Sequence, residues 1–179
     1  MARLNKLSVL VSSVLLMASI NCFADGAANI HFKGTISSED CTVHVNDGSN
    51  DATIDMGTVN LRGLGVGEAS SPVPFTVSLT GCPESMKNAD ITFIGNPSSN
   101  EKYFALTGVN SESVALEIKD TLAGANNTLS PNVQDPVGGM GSSGNNSFTG
   151  SFSAQLVKLT DAVTDSTFDV STAVNIVYL

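Results

Sequence analysis

The C-terminal ten residues carry the most regular pattern of the chain: Val170-Ser171-Thr172-Ala173-Val174-Asn175-Ile176-Val177-Tyr178-Leu179. One face of an extended chain would carry Val170, Thr172, Val174, Ile176 and Tyr178, and the other would carry Ser171, Ala173, Asn175, Val177 and Leu179. Because successive side chains of a strand point to opposite sides of a sheet, this alternation predicts a β-strand. Most domains end in a few frayed polar residues, so the apolar end predicts a terminus held inside the structure or against a partner. A central core strand that happens to come last is the alternative.

Seven further short runs upstream have the same character: Ile30–Ile36, Cys41–Val45, Thr53–Val59, Val73–Leu79, Ile91–Ile94, Val114–Ile118 and Phe148–Leu159. Turn signals separate them: Asn46-Asp47-Gly48, Gly63–Gly67, Asn96-Pro97, Gly124–Asn127 and Pro136–Asn146. Many short strands joined by such turns predict an all-β fold, an antiparallel sandwich. Pro131–Asn146 is long and glycine-rich and predicts a loop, and a short helix is compatible with Asn60–Leu64 or the surroundings of Lys87.

Residues 1–24 have the pattern of a signal peptide. Arg3 and Lys6 precede the 14-residue apolar stretch Leu7–Ile20, which is shorter than a membrane-spanning helix, and Cys22 and Ala24 suit the cleavage site. The alternative, a lipoprotein modified on Cys22, lacks the expected residues upstream. Cleavage after Ala24 leaves Asp25–Leu179, 155 residues, enough for one domain.

The predicted mature chain is strongly acidic. All 17 acidic residues remain in it, and Arg3 and Lys6 are lost, so the formal charge changes from −9 to −11. Such a surface repels phosphate backbones and anionic lipid head groups, so we expect no nucleic-acid partner. Two cysteines remain, Cys41 and Cys82, and an even pair in an oxidising compartment predicts a disulfide.

Several motifs in this order resemble the pilins of the type 1 fimbrial class, which the chaperone-usher pathway assembles. They are Ile30-His31-Phe32-Lys33-Gly34, Cys41-Thr42-Val43, Met56-Gly57-Thr58-Val59, Pro74-Phe75-Thr76-Val77-Ser78-Leu79-Thr80-Gly81-Cys82 and the penultimate Tyr178. The resemblance implies an incomplete immunoglobulin-like antiparallel β-sandwich that lacks its final strand and is completed by a donor strand. The implied partners are a periplasmic chaperone, an outer-membrane usher and neighbouring fimbrial subunits.

The resemblance also implies two functional segments. A donor-strand extension over residues 25–36 precedes a sandwich domain over residues 37–179. Its groove-facing residues are expected to be Ala28, Ile30, Phe32, Gly34 and Ile36. The C-terminal strand, with Val170, Thr172, Val174, Ile176, Tyr178 and Leu179, is expected to bind the chaperone.

The sequence offers no pattern that predicts catalysis, a cofactor or a metal site. The mature chain has two histidines, His31 and His44, and neither has a partner at metal-ligand spacing. Gly139, Gly141 and Gly144 spell a G-x-G-x-x-G motif that no predicted strand precedes. Asp47, Ser49 and Asp51 alternate like the start of a calcium loop, but the closing glutamate is missing.

The resemblance therefore implies a structural subunit of a fimbria, a non-enzyme exported through the periplasm to the cell surface, where the fimbria supports adhesion. A minor or tip-proximal subunit that binds a host receptor is one alternative. A free-standing secreted β-sandwich binding module is another, although no Trp and only two Tyr are available to stack on sugars.

Overall fold

The computed structural model describes residues 41–124, 126–135 and 140–178. These residues contain nine strands: β1 Thr42–Val45, β2 Val73–Thr80, β3 Ala89–Ile94, β4 Phe104–Ala105, β5 Val114–Asp120, β6 Asn127–Leu129, β7 Gly141–Gly144, β8 Ser147–Lys158 and β9 Ala173–Tyr178. A single 3-10 turn, Leu122–Gly124, follows β5. No helix in this part of the chain is long and apolar enough to cross a membrane.

The strands form two antiparallel sheets. The larger has the order β1-β2-β8-β5-β4, with β6 added beside β5 and β7 beside β8. The smaller contains β3 and β9 alone. In an immunoglobulin sandwich the strands A, B, E and D face the strands C, F and G. The order β1-β2-β8-β5 opposite β3-β9 reproduces that arrangement, with β9 in the position of F and no described strand in the position of G.

Three phenylalanine rings join the two sheets in the core. Phe75 of β2 and Phe152 of β8 are register partners in the larger sheet, with ring centroids 5.5 Å apart. Phe93 of β3 meets both rings edge-on, at 6.1 Å from Phe75 and 5.1 Å from Phe152. Each such pair contributes about 0.5–1.5 kcal/mol beyond the area it buries. Packing of these three aromatic side chains thus helps to hold the small sheet against the large one.

The predicted disulfide is present and links Cys41 to Cys82. Cys41 directly precedes β1 and Cys82 follows the end of β2, and Thr42 is the register partner of Thr80. The bond therefore fastens the edge strand β1 to its neighbour at one end.

Six of the predicted strands are confirmed with shifted ends: β1, β2, β3, β5, β8 and β9. Thr53–Val59 was predicted as a strand and is not one, because its backbone pairs with no other described segment. The alternation there is real, since Ile54, Met56 and Val59 are half-buried against the core. A β-strand also needs backbone hydrogen bonds to a neighbouring strand, so alternating burial alone does not produce one.

Other differences come from short elements. Gly141–Gly144, predicted as part of a glycine-rich loop, pairs with β8 as β7. The two segments compatible with helix contain single turns, closed by Leu64 N donating to Leu61 O and Met86 N donating to Pro83 O. The predicted signal peptide, the extension over residues 25–36 and Leu179 lie outside the described residues.

Replacing both cysteines by serine should lower the free energy of unfolding by about 4 kcal/mol, because the bond closes a loop with a sequence separation of 41. Urea unfolding of the oxidised wild type and the Cys41→Ser/Cys82→Ser variant measures this difference. A loss below about 1 kcal/mol would show that the bond contributes little to the fold.

Candidate functional site

The outer edge of β9, which pairs with no described residue, is the most unusual feature of the sandwich. On one side β9 pairs with β3 over six residues, from Ala89 opposite Tyr178 to Ile94 opposite Ala173. On its other side, no described residue forms a ladder with it. A long strand edge with unpaired N–H and C=O groups is a template for pairing with a further strand.

The two faces of β9 differ in the way that the sequence predicts. Val174 and Ile176 are half-buried and pack on the core, as does Val170 ahead of the strand, and Thr172 is half-buried on the same side. Ala173, Asn175 and Val177 are exposed. Tyr178, predicted on the inner face, is 44% exposed because it lies at the end of the sheet, opposite Ala89.

A second segment, residues 53–61, also leaves apolar side chains at the margin of the core. Ile54, Met56, Val59 and Leu61 are half-buried against it. Residues 53–60 make no backbone-to-backbone hydrogen bond with another described residue. Residues 53–60 and the outer edge of β9 thus both combine inward apolar side chains nearby with backbone that forms no ladder with other described residues, which are the features that a strand-accepting surface needs.

We define the candidate groove by the half-buried apolar side chains of residues 53–61, of β9 and of the chain leading into β9. They are Ile54, Met56, Val59, Leu61, Val163, Phe168, Val170, Val174 and Ile176. Each packs on the buried core while remaining partly exposed. An additional strand could cover these side chains and complete the sandwich.

A cavity of about 330 Å³ lies beside the start of β9. Phe104 and Ala105 of β4 line it, together with Val170 and Ser171. Gly95 allows Phe104 to approach, because a Cβ at that position would lie 2.8 Å from the phenylalanine ring.

The described residues outside this edge show no arrangement suited to catalysis or metal binding. His44 Nδ1 lies 2.8 Å from Gly48 O and Nε2 lies 3.2 Å from Thr80 Oγ1, so the ring fastens an exposed turn. No group of three or more potential metal-ligating side chains occurs among residues 41–124, 126–135 and 140–178. Gly141 and Gly144 lie in β7, whereas Gly139 and His31 lie outside the described part.

A buried carboxylate on the larger sheet has a structural role. Glu117 of β5 accepts hydrogen bonds from Thr128 Oγ1 of β6 and from Gln155 Nε2 of β8, so it ties three strands together. Burial, reinforced by the negative charge of Glu117, raises the pKa of Tyr103, which keeps that phenol neutral. No pattern in the sequence indicates this cluster, because only the strand register brings its members together.

The profile of the fimbrial protein family matches residues 30–178, which is most of the chain. The chain belongs to the fimbrial protein family. This fimbrial protein is 32% identical over 97 residues to the fimbrial-like protein FimF of Salmonella typhimurium, a match that covers 53% of the chain and 54% of FimF. The chain thus spans about half the length of that curated relative.

Two solved structures share the fold of this fimbrial protein. The P pilus rod subunit PapA superposes with a TM-score of 0.60 at 17% identity, over 79% of this chain and all of PapA. A chain from the structure of a chaperone-usher pilus gives a TM-score of 0.60 at 19% identity, over 87% of this chain and 97% of the other. These similarities confirm the predicted all-β, immunoglobulin-like sandwich of the pilus-subunit type.

Ile176→Thr should destabilise this fimbrial protein by about 1–3 kcal/mol, because it places a hydroxyl against the core margin and removes apolar contacts. The matched change Val177→Thr, on the exposed face, should alter stability by less than about 0.5 kcal/mol. Urea unfolding of the two variants checks the assignment of faces. Equal losses would contradict it.

Proposed function

We propose that this protein is a structural, non-catalytic subunit of a chaperone-usher fimbria and that it polymerises by donor-strand exchange. The observation that carries the proposal is the edge of β9 that pairs with no described residue, at the position where an immunoglobulin sandwich would have its last strand. Family membership and the two pilus-subunit folds support the same conclusion.

The donor in this proposal is the segment 25–36 of the next subunit along the fibre. One face of this strand would carry only apolar or small side chains, because such residues occur at every second position: Ala28, Ile30, Phe32, Gly34 and Ile36. That face matches the half-buried side chains of the candidate groove. Backbone pairing with β9 would provide affinity, and the alternating side chains would provide register.

Before assembly, a periplasmic chaperone would occupy the same groove, and an outer-membrane usher would then exchange it for the donor strand. In this proposal the chaperone pairs with the C-terminal strand that carries Val170, Thr172, Val174, Ile176, Tyr178 and Leu179. The apolar margin and free edge give a physical reason for such a chaperone, because both favour aggregation of an isolated subunit. The assembled protein would then lie in the fimbria outside the cell.

Phe32→Asp and Gly34→Asp should each block attachment of this subunit to the preceding one. The first places a charge in an apolar groove, and the second adds a charged side chain where backbones approach closely. His31→Asp is the matched control, since it makes a similar change on the polar face of the same strand and should leave polymerisation intact.

Polymer formation is measured by the ladder of subunit oligomers on unheated gels, and chaperone binding by co-purification. The proposal predicts lost ladders with normal chaperone binding for Phe32→Asp and Gly34→Asp. Ladders at the wild-type level from either variant would refute the assignment of the donor face.

A further inference from the structure

The loop before β5 runs alongside the segment that leads from β8 into β9. At one end, Leu159 N and Thr160 N both donate hydrogen bonds to Ser113 O, at 2.8 and 3.2 Å. At the other end, Thr107 Oγ1 donates to Asp169 O at 2.9 Å. Residues 107–113 therefore follow residues 159–169 along their length.

Asn110 is the centre of this contact. Its Nδ2 donates to Thr164 O at 2.7 Å and to Ser166 Oγ at 2.8 Å, and its Oδ1 accepts from Thr164 N at 2.9 Å. The residue is itself fixed, because Ser113 N and Val114 N donate to Asn110 O at 3.0 and 2.9 Å, directly at the start of β5. The side-chain amide thus connects the larger sheet to the backbone of a neighbouring segment.

The segment held by Asn110 has few other backbone contacts. Residues 161–172 contain no strand and form no ladder with other described residues. They carry Val163, Phe168 and Val170, three of the nine side chains that define the candidate groove. The amide of Asn110 supplies the pair of backbone hydrogen bonds at Thr164 that a neighbouring strand would otherwise supply.

We infer that Asn110 is a positioning residue for the groove: it holds the segment 159–169 so that its apolar side chains stand ready for a donor strand. The inference rests on the proposed function. If the segment 159–169 is already ordered, less conformational entropy is lost when a strand binds. Removing the Asn110 side chain should therefore weaken strand binding without removing any contact to the donor.

The test uses the complex of the mature subunit with its chaperone and a synthetic peptide of residues 25–36 as the incoming donor. Asn110→Ala should slow peptide uptake at least about tenfold, since it removes three hydrogen bonds and the net effect of one or two of them is already of that order. Ser166→Ala removes one of the three and should have a smaller effect. The Thr164 amide should also lose protection from hydrogen exchange in Asn110→Ala, while amides of β5 and β8 keep theirs.

Asn132→Ala is a matched control. Asn132 makes an equivalent two-way contact with a backbone, its Nδ2 donating to Gly95 O at 2.9 Å and its Oδ1 accepting from Gly95 N at 3.3 Å. That contact lies at the end of β3 and holds none of the segment 159–169. Because Asn132 has a φ of 64°, alanine there also adds backbone strain. The change should therefore lower the unfolding midpoint at least as much as Asn110→Ala and leave the rate of peptide uptake within twofold of wild type.

The outcomes separate the inference from the function it rests on. If the wild type takes up the peptide and Asn110→Ala takes it up at the same rate, the positioning role is overturned and donor-strand exchange is not. Equal slowing by Asn110→Ala and Asn132→Ala would also overturn it, because general destabilisation would then explain both. Failure of the wild type to accept the peptide would refute donor-strand exchange, and this inference with it.

Discussion

The edge of β9 that pairs with no described residue is the physical constraint on which the rest of this structure depends. Backbone N–H and C=O groups that leave water need partners, and β9 has them from β3 alone among the described residues. A two-stranded sheet of this kind is marginal in water and gains its stability from packing on another layer. Here that layer is the larger sheet, which meets β3 through the rings of Phe75, Phe93 and Phe152.

Several features hold the described part of the domain together away from the outer edge of β9. The long strand β8 pairs with both β2 and β5, so the larger sheet has a continuous centre. The Cys41–Cys82 bond fixes the edge strand β1. Asn110 and its neighbours hold the chain that leads into β9 by side-chain hydrogen bonds in place of a ladder. The larger sheet thus forms the continuous part of the fold, and the segment 159–169 is held by local hydrogen bonds from residues 107–113.

The sequence predicted the parts of the fold that depend on the burial of alternating side chains. The inner face of β9 and the long run of β8 were read correctly for this reason, and so was the pairing of two cysteines. Thr53–Val59 was wrongly predicted as a strand, because alternation indicates which side chains face the core and not whether the backbone has a pairing partner. β7 was missed because glycine and serine carry no apolar pattern, and β4 because two residues show no period. Asn110 could not be predicted, since its partners are more than 50 residues away and only the tertiary fold brings them together.

The most direct test of the central claim is thermal unfolding of residues 25–179 in oxidised form, alone and with a second copy of residues 25–36 joined through a flexible linker after Leu179. A copy carrying the Phe32→Asp change serves as the control. If the edge of β9 accepts a donor strand, the added segment should raise the unfolding midpoint by about 10 °C or more, and the control copy should not. If the plain chain is already soluble and unfolds cooperatively, and the added strand leaves the midpoint unchanged, the sandwich is complete and the protein is a free-standing secreted domain.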